Sequence, residues 1–280
     1  WKSLQPISKL FYNKIRQKII HFKPDVIVSV HPLVNQVTSK IISREKLKTK
    51  FVIMVADPVT IHHSWIDKRA DYSITATNNV RNRLIQNKVK KEKVLVMGLP
   101  ISPQFYKKQP KTQIQENFRL DKDKFTVLFS SGGEGKGKIF SIVKLLLEEN
   151  LDIQIIVLCG RNKKLKDNLK KYPVLSFGFT DKVCELMACA DLVVTKAGPT
   201  TIEESITLGI PIIITGHVPG QERGNIDYAK KRIKAYHVTN SEKCVDLIKA
   251  LFNLGVVKPK RVPKSRAPVY NIARFLSKLA

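Results

Sequence analysis

The stretch "SSGGEGKGKIF", residues 130–140, places four glycines, two lysines and a glutamate between two apolar runs. Its free backbone N–H groups, with the positive end of a following helix, could hold phosphate oxygens. The spacing from Gly132 is nearly that of a P-loop, but Ile139 stands where a P-loop needs a hydroxyl for magnesium. The dinucleotide fingerprint G-x-G-x-x-G also fails, because Lys138 occupies the place of its last glycine. The stretch predicts an anion-binding loop of another kind, with a flexible surface turn as the alternative.

The segment "KAGPTTIEES", residues 196–205, has the composition of a helix start. Gly198 allows a tight turn, Pro199 suits the first helical position, and two threonines follow. We expect Glu203 and Glu204 in the first turn. One of them would complement the helix dipole. The other could accept hydrogen bonds from the vicinal hydroxyls of a ribose.

A third polar segment, "PGQERGN", residues 219–225, follows a buried apolar run. Gln221 and Glu222 are well placed there to bind a sugar, with a solvated loop as the alternative.

Short β-branched runs alternate with longer amphipathic ones along the chain, which indicates α/β architecture with helices on both faces of parallel sheets. The ten strand candidates are DVIVSV, FVIMVA, YSITAT, KVLVMG, FTVLFSS, IQIIVLCG, VLSFGF, DLVVTKA, PIIIT and AYHVT. Ligands collect at the carboxyl ends of such strands. All three polar segments follow strands of the second half of the chain, so we expect one site there.

The proline-rich stretch "GLPISPQFYKKQPKTQIQE", residues 98–116, breaks the alternation and is interpreted as an interdomain linker. Residues 1–100 then form a first domain with four strands, which looks incomplete at its N-terminus, and residues 101–263 a second domain with six. The C-terminal helix within residues 264–280 is expected to complete the first domain.

The chain carries 50 Lys and Arg against 23 Asp and Glu, a formal net charge of +27. This charge favours anionic partners, either nucleic acid or an anionic membrane face. No apolar run approaches the length of about 20 residues that a spanning helix requires. The four cysteines lack C-x-x-C spacing and nearby histidines, which is typical of reduced thiols in a cytosolic protein.

Together, "GGEGKG", "KAGPTTIEES" and "PGQERGN" resemble the nucleotide-sugar half of monogalactosyl- and glucosyl-diacylglycerol synthases. That group lies in glycosyltransferase family 28 and is related to the enzyme that adds N-acetylglucosamine to lipid I in peptidoglycan synthesis. The resemblance extends to "FKPDVIVSVHPL" and to a D-x-x-T-x-H-x-x-W pattern formed by Asp57, Thr60, His62 and Trp65. The resemblance covers most of the chain. The motifs together are specific for the family, whereas any single motif is a weak signal.

The resemblance implies an inverting hexosyltransferase of the GT-B fold, in which two Rossmann-like domains face each other across a cleft. Such an enzyme would move a hexose from UDP-glucose or UDP-galactose to diacylglycerol at a membrane surface and make a glycoglycerolipid. The UDP-sugar is a substrate, and no cofactor or metal is implied, because backbone N–H groups and a helix dipole stabilise the departing diphosphate.

Carried over position by position, the resemblance assigns the glycine loop to the diphosphate, Phe179 to the uracil through its backbone, Glu204 to the ribose, and Gln221 and Glu222 to the donor sugar. The full set expected to bind the donor is Gly132, Gly133, Glu134, Gly135, Gly137, Gly160, Arg161, Phe179, Gly198, Pro199, Thr200, Thr201, Glu204, Gln221, Glu222 and Asn225.

The sequence departs from the family at one place. The family has a glycine-rich loop near the start of its first domain, with a histidine that is a candidate base, and no such loop precedes "FKPDVIVSV". The chain begins at Trp1 without an initiator methionine, so it could be a fragment that has lost this loop and is inactive as given. If it is complete, Asp57 and His63 are the best remaining candidates for the base.

The segment "KLFYNKIRQKIIHFK" places Phe11, Ile15, Ile19 and Phe22 on one helical face with basic residues around them. It is interpreted as an amphipathic helix that covers the first sheet. The surplus charge also suits peripheral binding to an anionic membrane, and we expect the protein at the cytoplasmic face of the cell membrane.

Two other functions stay open at this point. The first is transfer of N-acetylglucosamine from its UDP derivative to a polyprenyl-linked peptidoglycan precursor. The second is binding of nucleic acid, which the charge alone supports. Aromatic residues make up only 8% of the chain and no nucleic-acid-binding module is recognisable, so nucleic acid is not expected as a partner.

Overall fold

The computed structural model describes residues 5–135, 137–255, 262 and 267–280. The chain divides into two compact α/β units. Unit 1 consists of Trp1–Pro100 with Pro268–Ala280, and unit 2 of Ile101–Ala267. The second predicted boundary, between residues 263 and 264, lies outside the described residues.

Unit 1 is built on a parallel sheet with the strand order β1-β2-β3-β4. Its strands are β1 (Val26–Ser29), β2 (Lys50–Met54), β3 (Tyr72–Thr75) and β4 (Val94–Val96). Its helices are α1 (Gln5–Phe22), α2 (Asn35–Arg44), α3 (Asn78–Gln86) and, from the end of the chain, α11 (Pro268–Ser277).

The inner strands β2 and β3 are buried on both faces, which explains their continuous apolar runs, whereas the outer strands β1 and β4 expose Val28 and Val96. On one face, Phe51 and Ile53 of β2 pack with Trp65 and Leu84. On the other face, the core contains Val52, Met54, Ile74 and Ile272. Since Ile272 belongs to α11, the last helix completes the core of unit 1.

Helix α1 covers α2 with its middle portion, where Ile15 and Ile19 pack beside Ile41. Phe11 and Phe22, predicted on the same face, are exposed instead. The amphipathic interpretation therefore holds for Ile15 and Ile19 and is wrong for the two phenylalanines.

Unit 2 is built on a six-stranded parallel sheet with the order β10-β9-β8-β5-β6-β7. Its strands are β5 (Phe125–Ser130), β6 (Ile153–Leu158), β7 (Leu175–Phe177), β8 (Leu192–Thr195), β9 (Ile212–Ile214) and β10 (Ala235–His237). Its helices are α4 (Lys111–Asn117), α5 (Ile139–Glu148), α6 (Lys163–Leu169), α7 (Val183–Cys189), α8 (Pro199–Leu208), α9 (Arg223–Arg232) and α10 (Ser241–Leu254).

The strand order of unit 2 reverses at β5. The chain moves outward from β5 through β6 to β7, and then returns to the other side of β5 with β8. Connections on the two sides leave β5 toward opposite faces, so a crevice opens at its carboxyl end. This topology selects the segments after β5, β6 and β8 as the walls of a site.

The predicted α/β class is confirmed, and each of the ten predicted apolar runs contains a strand. The interpretation of residues 98–116 as a linker is wrong for most of that stretch. Ile101, Phe105 and Ile114 are buried, and the segment forms a 3-10 helix (Pro103–Tyr106) followed by α4. Only the first residues of the stretch connect the units. Within the described parts of the chain, no helix has both the length and the apolar character that crossing a bilayer demands.

Candidate functional site

A cavity of about 570 Å³ opens at the carboxyl edge of the sheet of unit 2. It lies where the topology of β5, β6 and β8 predicts a crevice. Its walls come from the ends of these strands and from the start of α8. The lining residues are Ser130, Gly132, Gly133, Leu158, Gly160, Gly178, Phe179, Thr180, Val183, Lys196, Gly198, Pro199, Thr200, Thr201, Glu204 and Glu222.

The glycine loop after β5 packs closely against the turn after β6, backbone against backbone. The N–H of Arg161 donates to the carbonyl of Gly133 over 2.7 Å. A Cβ on Gly160 would overlap that same carbonyl, and a Cβ on Gly135 would overlap the carbonyl of Cys159. Both glycines also have positive φ, at +57°. Gly135 and Gly160 are therefore required for the contact between the two loops.

Arg161 and Phe179 form the rim of the cavity beside this loop. The guanidinium of Arg161 lies 4.6 Å from the centre of the Phe179 ring, and Phe179 is 69% exposed. Arg161 also forms an ion pair with Glu134 at 3.3 Å. Glu134 and Arg161 thus bind each other at the rim instead of lining the cavity.

Helix α8 presents its N-terminus to the cavity. Gly198 is the N-cap residue and makes no side-chain capping bond, so the first-turn N–H groups around Thr200 and Thr201 are not capped by a side chain. Such groups, with the helix dipole, attract anions. The expectation that Glu203 and Glu204 lie in the first turn is wrong, because the first turn contains no acidic residue.

The two glutamates of α8 have different surroundings. Glu203 is buried and accepts a hydrogen bond from the Tyr228 hydroxyl at 2.7 Å, and it pairs with Arg232 at 3.4 Å. It therefore holds α8 against α9 and does not merely complement a dipole.

Glu204 lines the cavity, and its carboxylate has no hydrogen-bond or ion-pair partner among the residues that the structure describes. Burial without a compensating charge raises the pKa of Glu204 to about 8. A half-buried carboxyl group without a partner that lines a cavity is well suited to receive hydroxyl donors from a ligand.

Lys196 was missed by the sequence reasoning, although it stands in the quoted segment "KAGPTTIEES". It follows β8, lines the cavity, and lies 2.5 Å from Glu222 in an ion pair. Its position directly after a buried strand and before a glycine turn could have identified Lys196 as a residue of the site.

Sixteen residues were predicted to bind the donor, and the structure gathers ten of them around the cavity. The other six are Glu134, Gly135, Gly137, Arg161, Gln221 and Asn225. Asn225 corrects its prediction most clearly: it is 0% exposed, and its amide donates to the carbonyl of Ala197 at 2.9 Å. Asn225 therefore stabilises the turn before α8 through this hydrogen bond and does not line the cavity.

The two candidate bases lie in unit 1, after β2. Asp57 is only 3% exposed and accepts a hydrogen bond from the Trp65 indole at 2.7 Å. His63 is exposed in the 3-10 helix His63–Trp65, whose N-cap residue is His62. Geometry favours His63, because a base must reach its substrate whereas Asp57 holds this loop together. Both assignments stay predictions.

The described residues contain no group of three or more His, Cys, Asp or Glu side chains that could hold a metal ion.

Comparison with known proteins gives two family matches. Residues 1–101 match the monogalactosyldiacylglycerol (MGDG) synthase model, and residues 132–262 match the glycosyltransferase family 28 C-terminal domain. A probable monogalactosyldiacylglycerol synthase, chloroplastic, of Glycine max is 35% identical over 229 residues, which is 77% of this chain and 43% of the relative. The chain thus spans about half the length of the curated relatives that it matches.

Solved structures share the fold over nearly the whole chain. The UDP-GlcNAc 2-epimerase of Neisseria meningitidis, bound to UDP-GlcNAc, matches with a TM-score of 0.74 at 15% identity, covering 98% of this chain and 82% of that one. The MurG of Acinetobacter baumannii matches with a TM-score of 0.62 at 13% identity, covering 95% and 77%. At such identities the likeness shows the fold alone, which is GT-B. The comparisons thus place residues 1–101 with the monogalactosyldiacylglycerol synthase family and residues 132–262 with the C-terminal domain of glycosyltransferase family 28.

Proposed function

We propose that this chain carries the donor-binding part of a hexosyltransferase that moves a hexose from a UDP-sugar to diacylglycerol. The observation that supports this most is the cavity of unit 2, which joins a glycine loop, an uncapped helix N-terminus and a partnerless carboxyl group. The glycine loop and the helix N-terminus suit a diphosphate, and the carboxyl group suits the hydroxyls of a ribose.

The donor would lie along the carboxyl edge of the sheet. Its uracil would contact the backbone at Gly178 and Phe179, and its ribose hydroxyls would donate to Glu204. Its diphosphate would lie between Gly133 and the first turn of α8, with the hexose beyond it.

In the transfer step, a hydroxyl of diacylglycerol attacks the anomeric carbon from the face opposite the diphosphate. The new carbon–oxygen bond forms as the bond to the phosphate oxygen breaks, and UDP leaves with the electron pair. The hydroxyl proton passes to a base, for which His63 is the candidate in this chain. Backbone N–H groups at the start of α8 stabilise the charge that develops on the diphosphate, so the proposal requires no metal.

The acceptor supports a peripheral position at an anionic bilayer, at the cytoplasmic face of the cell membrane. Diacylglycerol does not leave the membrane, and the net charge of +27 favours an anionic surface. The proposed donor is UDP-glucose or UDP-galactose.

Calorimetric titration of the 280-residue chain with UDP tests the donor site. We expect binding in the presence of a chelator, and about 10- to 100-fold weaker binding in Glu204→Gln, because the hydrogen bonds between this carboxyl group and the two ribose hydroxyls would be lost. ADP is the matched control ligand, since it keeps the ribose and the diphosphate. Equal binding of ADP and UDP, or a strict magnesium requirement, would contradict the proposal. Mass spectrometry of lipids formed from each UDP-sugar and diacylglycerol then tests the transfer.

A further inference from the structure

We propose that Lys196 binds the diphosphate of the donor, and that Glu222 positions its ammonium group for this contact. The inference rests on the proposed function and adds a residue to its site.

The ammonium group lies between the two anion-binding features of the cavity. A Cβ built on Gly198, the N-cap residue of α8, would be 3.8 Å from Nζ of Lys196. A Cβ built on Gly132, in the glycine loop, would be 3.8 Å from Cε of the same lysine. A diphosphate held by the loop and by the helix N-terminus would therefore be within reach of the lysine.

Glu222 is fixed at both of its carboxylate oxygens. It is 5% exposed, Oε1 lies 2.5 Å from Nζ of Lys196, and Oε2 accepts a hydrogen bond from the N–H of Val218 at 2.8 Å. A carboxylate held in this way is poorly placed to receive sugar hydroxyls, which is the role that the family resemblance implies. It is well placed to orient the lysine.

Lys196 keeps the capacity to bind a second anion. An ammonium group has three N–H donors, and the ion pair with Glu222 uses one of them. No other acceptor for this group occurs in the part of the chain that the structure describes. Its side chain is 35% exposed, so the remaining donors face solvent in the cavity.

Lys138 provides the contrast. It occupies the lysine position of the near-P-loop spacing, yet its Nζ donates to the carbonyl of Thr239 at 3.0 Å and it does not line the cavity. The phosphate-binding lysine therefore comes from the end of β8 and not from the glycine loop.

Titration of the full chain with UDP and with uridine tests the inference. Lys196→Met should weaken UDP binding by about 10- to 100-fold and uridine binding by less than about twofold, because uridine has no phosphate. Lys196→Arg should keep most of the UDP affinity. The matched control Lys138→Met, which removes the same charge nearby, should leave both affinities unchanged.

The Glu222→Gln variant tests whether Glu222 positions the ammonium group of Lys196 or only repels the diphosphate. If Glu222 orients the lysine, this variant binds UDP more weakly than the parent and adds nothing in the Lys196→Met background. If the carboxylate only repelled the diphosphate, binding would tighten, and its positioning role would be overturned.

The outcomes also distinguish the inference from the proposed function. Unchanged UDP binding in Lys196→Met, or equal losses for UDP and uridine, would overturn the role of Lys196 while the donor site stands. No UDP binding by the parent chain would overturn both.

Discussion

Glu203 and Glu204 are neighbours in α8, but their side chains have different surroundings. Glu203 contacts Tyr228 and Arg232, whereas Glu204 has no such partner, and desolvation raises the pKa of Glu204 to about 8. Between about pH 4.5 and 8 the folded protein keeps a proton on Glu204 that the unfolded chain has released. The contribution of this group to folding stability therefore falls as pH rises through that window.

We predict that Glu204→Gln removes the decrease in folding stability that Glu204 causes as pH rises from about 4.5 to 8. Near pH 4.5 the variant and the parent should be equally stable, and at pH 8.5 the variant should be more stable, by up to about 4 kcal/mol. Urea denaturation at both pH values measures the difference.

The matched control is Glu203→Gln. It removes a buried carboxylate that is already paired, so it should lose stability at both pH values. Parallel stability–pH curves for the parent and Glu204→Gln would show that Glu204 is ionised in the folded protein at neutral pH.

At the scale of elements, the sequence predicted the strands best where β-branched residues form a continuous buried run, as in β2, β8 and β9. Prediction from apolar patterns failed where the apolar residues are widely spaced along the chain. In residues 101–117, prolines and polar residues separate Ile101, Phe105 and Ile114, so no periodic apolar pattern is visible there although all three are buried.

The sequence predicted site residues correctly where backbone geometry requires glycine or proline, as at Gly160 and Pro199. It predicted them less well where contacts between side chains determine what a residue does. Lys196 resembles any solvated lysine until β8 and α9 bring it to Glu222, and Asn225 resembles a ligand-binding amide until its burial is known. Such roles depend on tertiary distances that spacing does not encode.

Gly160→Ala should damage the contact between the glycine loop and the turn after β6. The new Cβ would overlap the carbonyl of Gly133, and the residue has φ of +57°. We expect a loss of about 1–3 kcal/mol in unfolding free energy and weaker UDP binding, both measurable on the same sample.

Gly216→Ala is the matched control for this substitution. No atom lies within 4 Å of a Cβ built there, and its backbone does not require glycine. Equal behaviour of the two variants would mean that the loops can separate without consequence.

At the scale of the whole molecule, the net charge of +27 should hold the protein on anionic vesicles. On α1, Lys14 and Lys18 are exposed, whereas Arg16 is paired with Glu45 at 2.7 Å. Lys14→Glu combined with Lys18→Glu should therefore reduce sedimentation with anionic vesicles, and binding of the parent should weaken as salt shortens the Debye length.

The matched control carries two exposed lysines of unit 2 changed in the same way, Lys122→Glu and Lys243→Glu. Equal losses in the two double variants would mean that net charge, and not α1, determines the binding. Displacement by excess duplex DNA with a sequence preference would instead favour nucleic acid as the partner.

Every residue that lines the cavity lies between Ser130 and Glu222, within one unit. Under the proposed function, the constraints of donor chemistry then fall on one continuous stretch of the chain. Substitutions in unit 1 would leave the residues that line the nucleotide site unchanged. In the evolution of such a protein, unit 1 could change its acceptor specificity while unit 2 retains the residues that bind the nucleotide sugar.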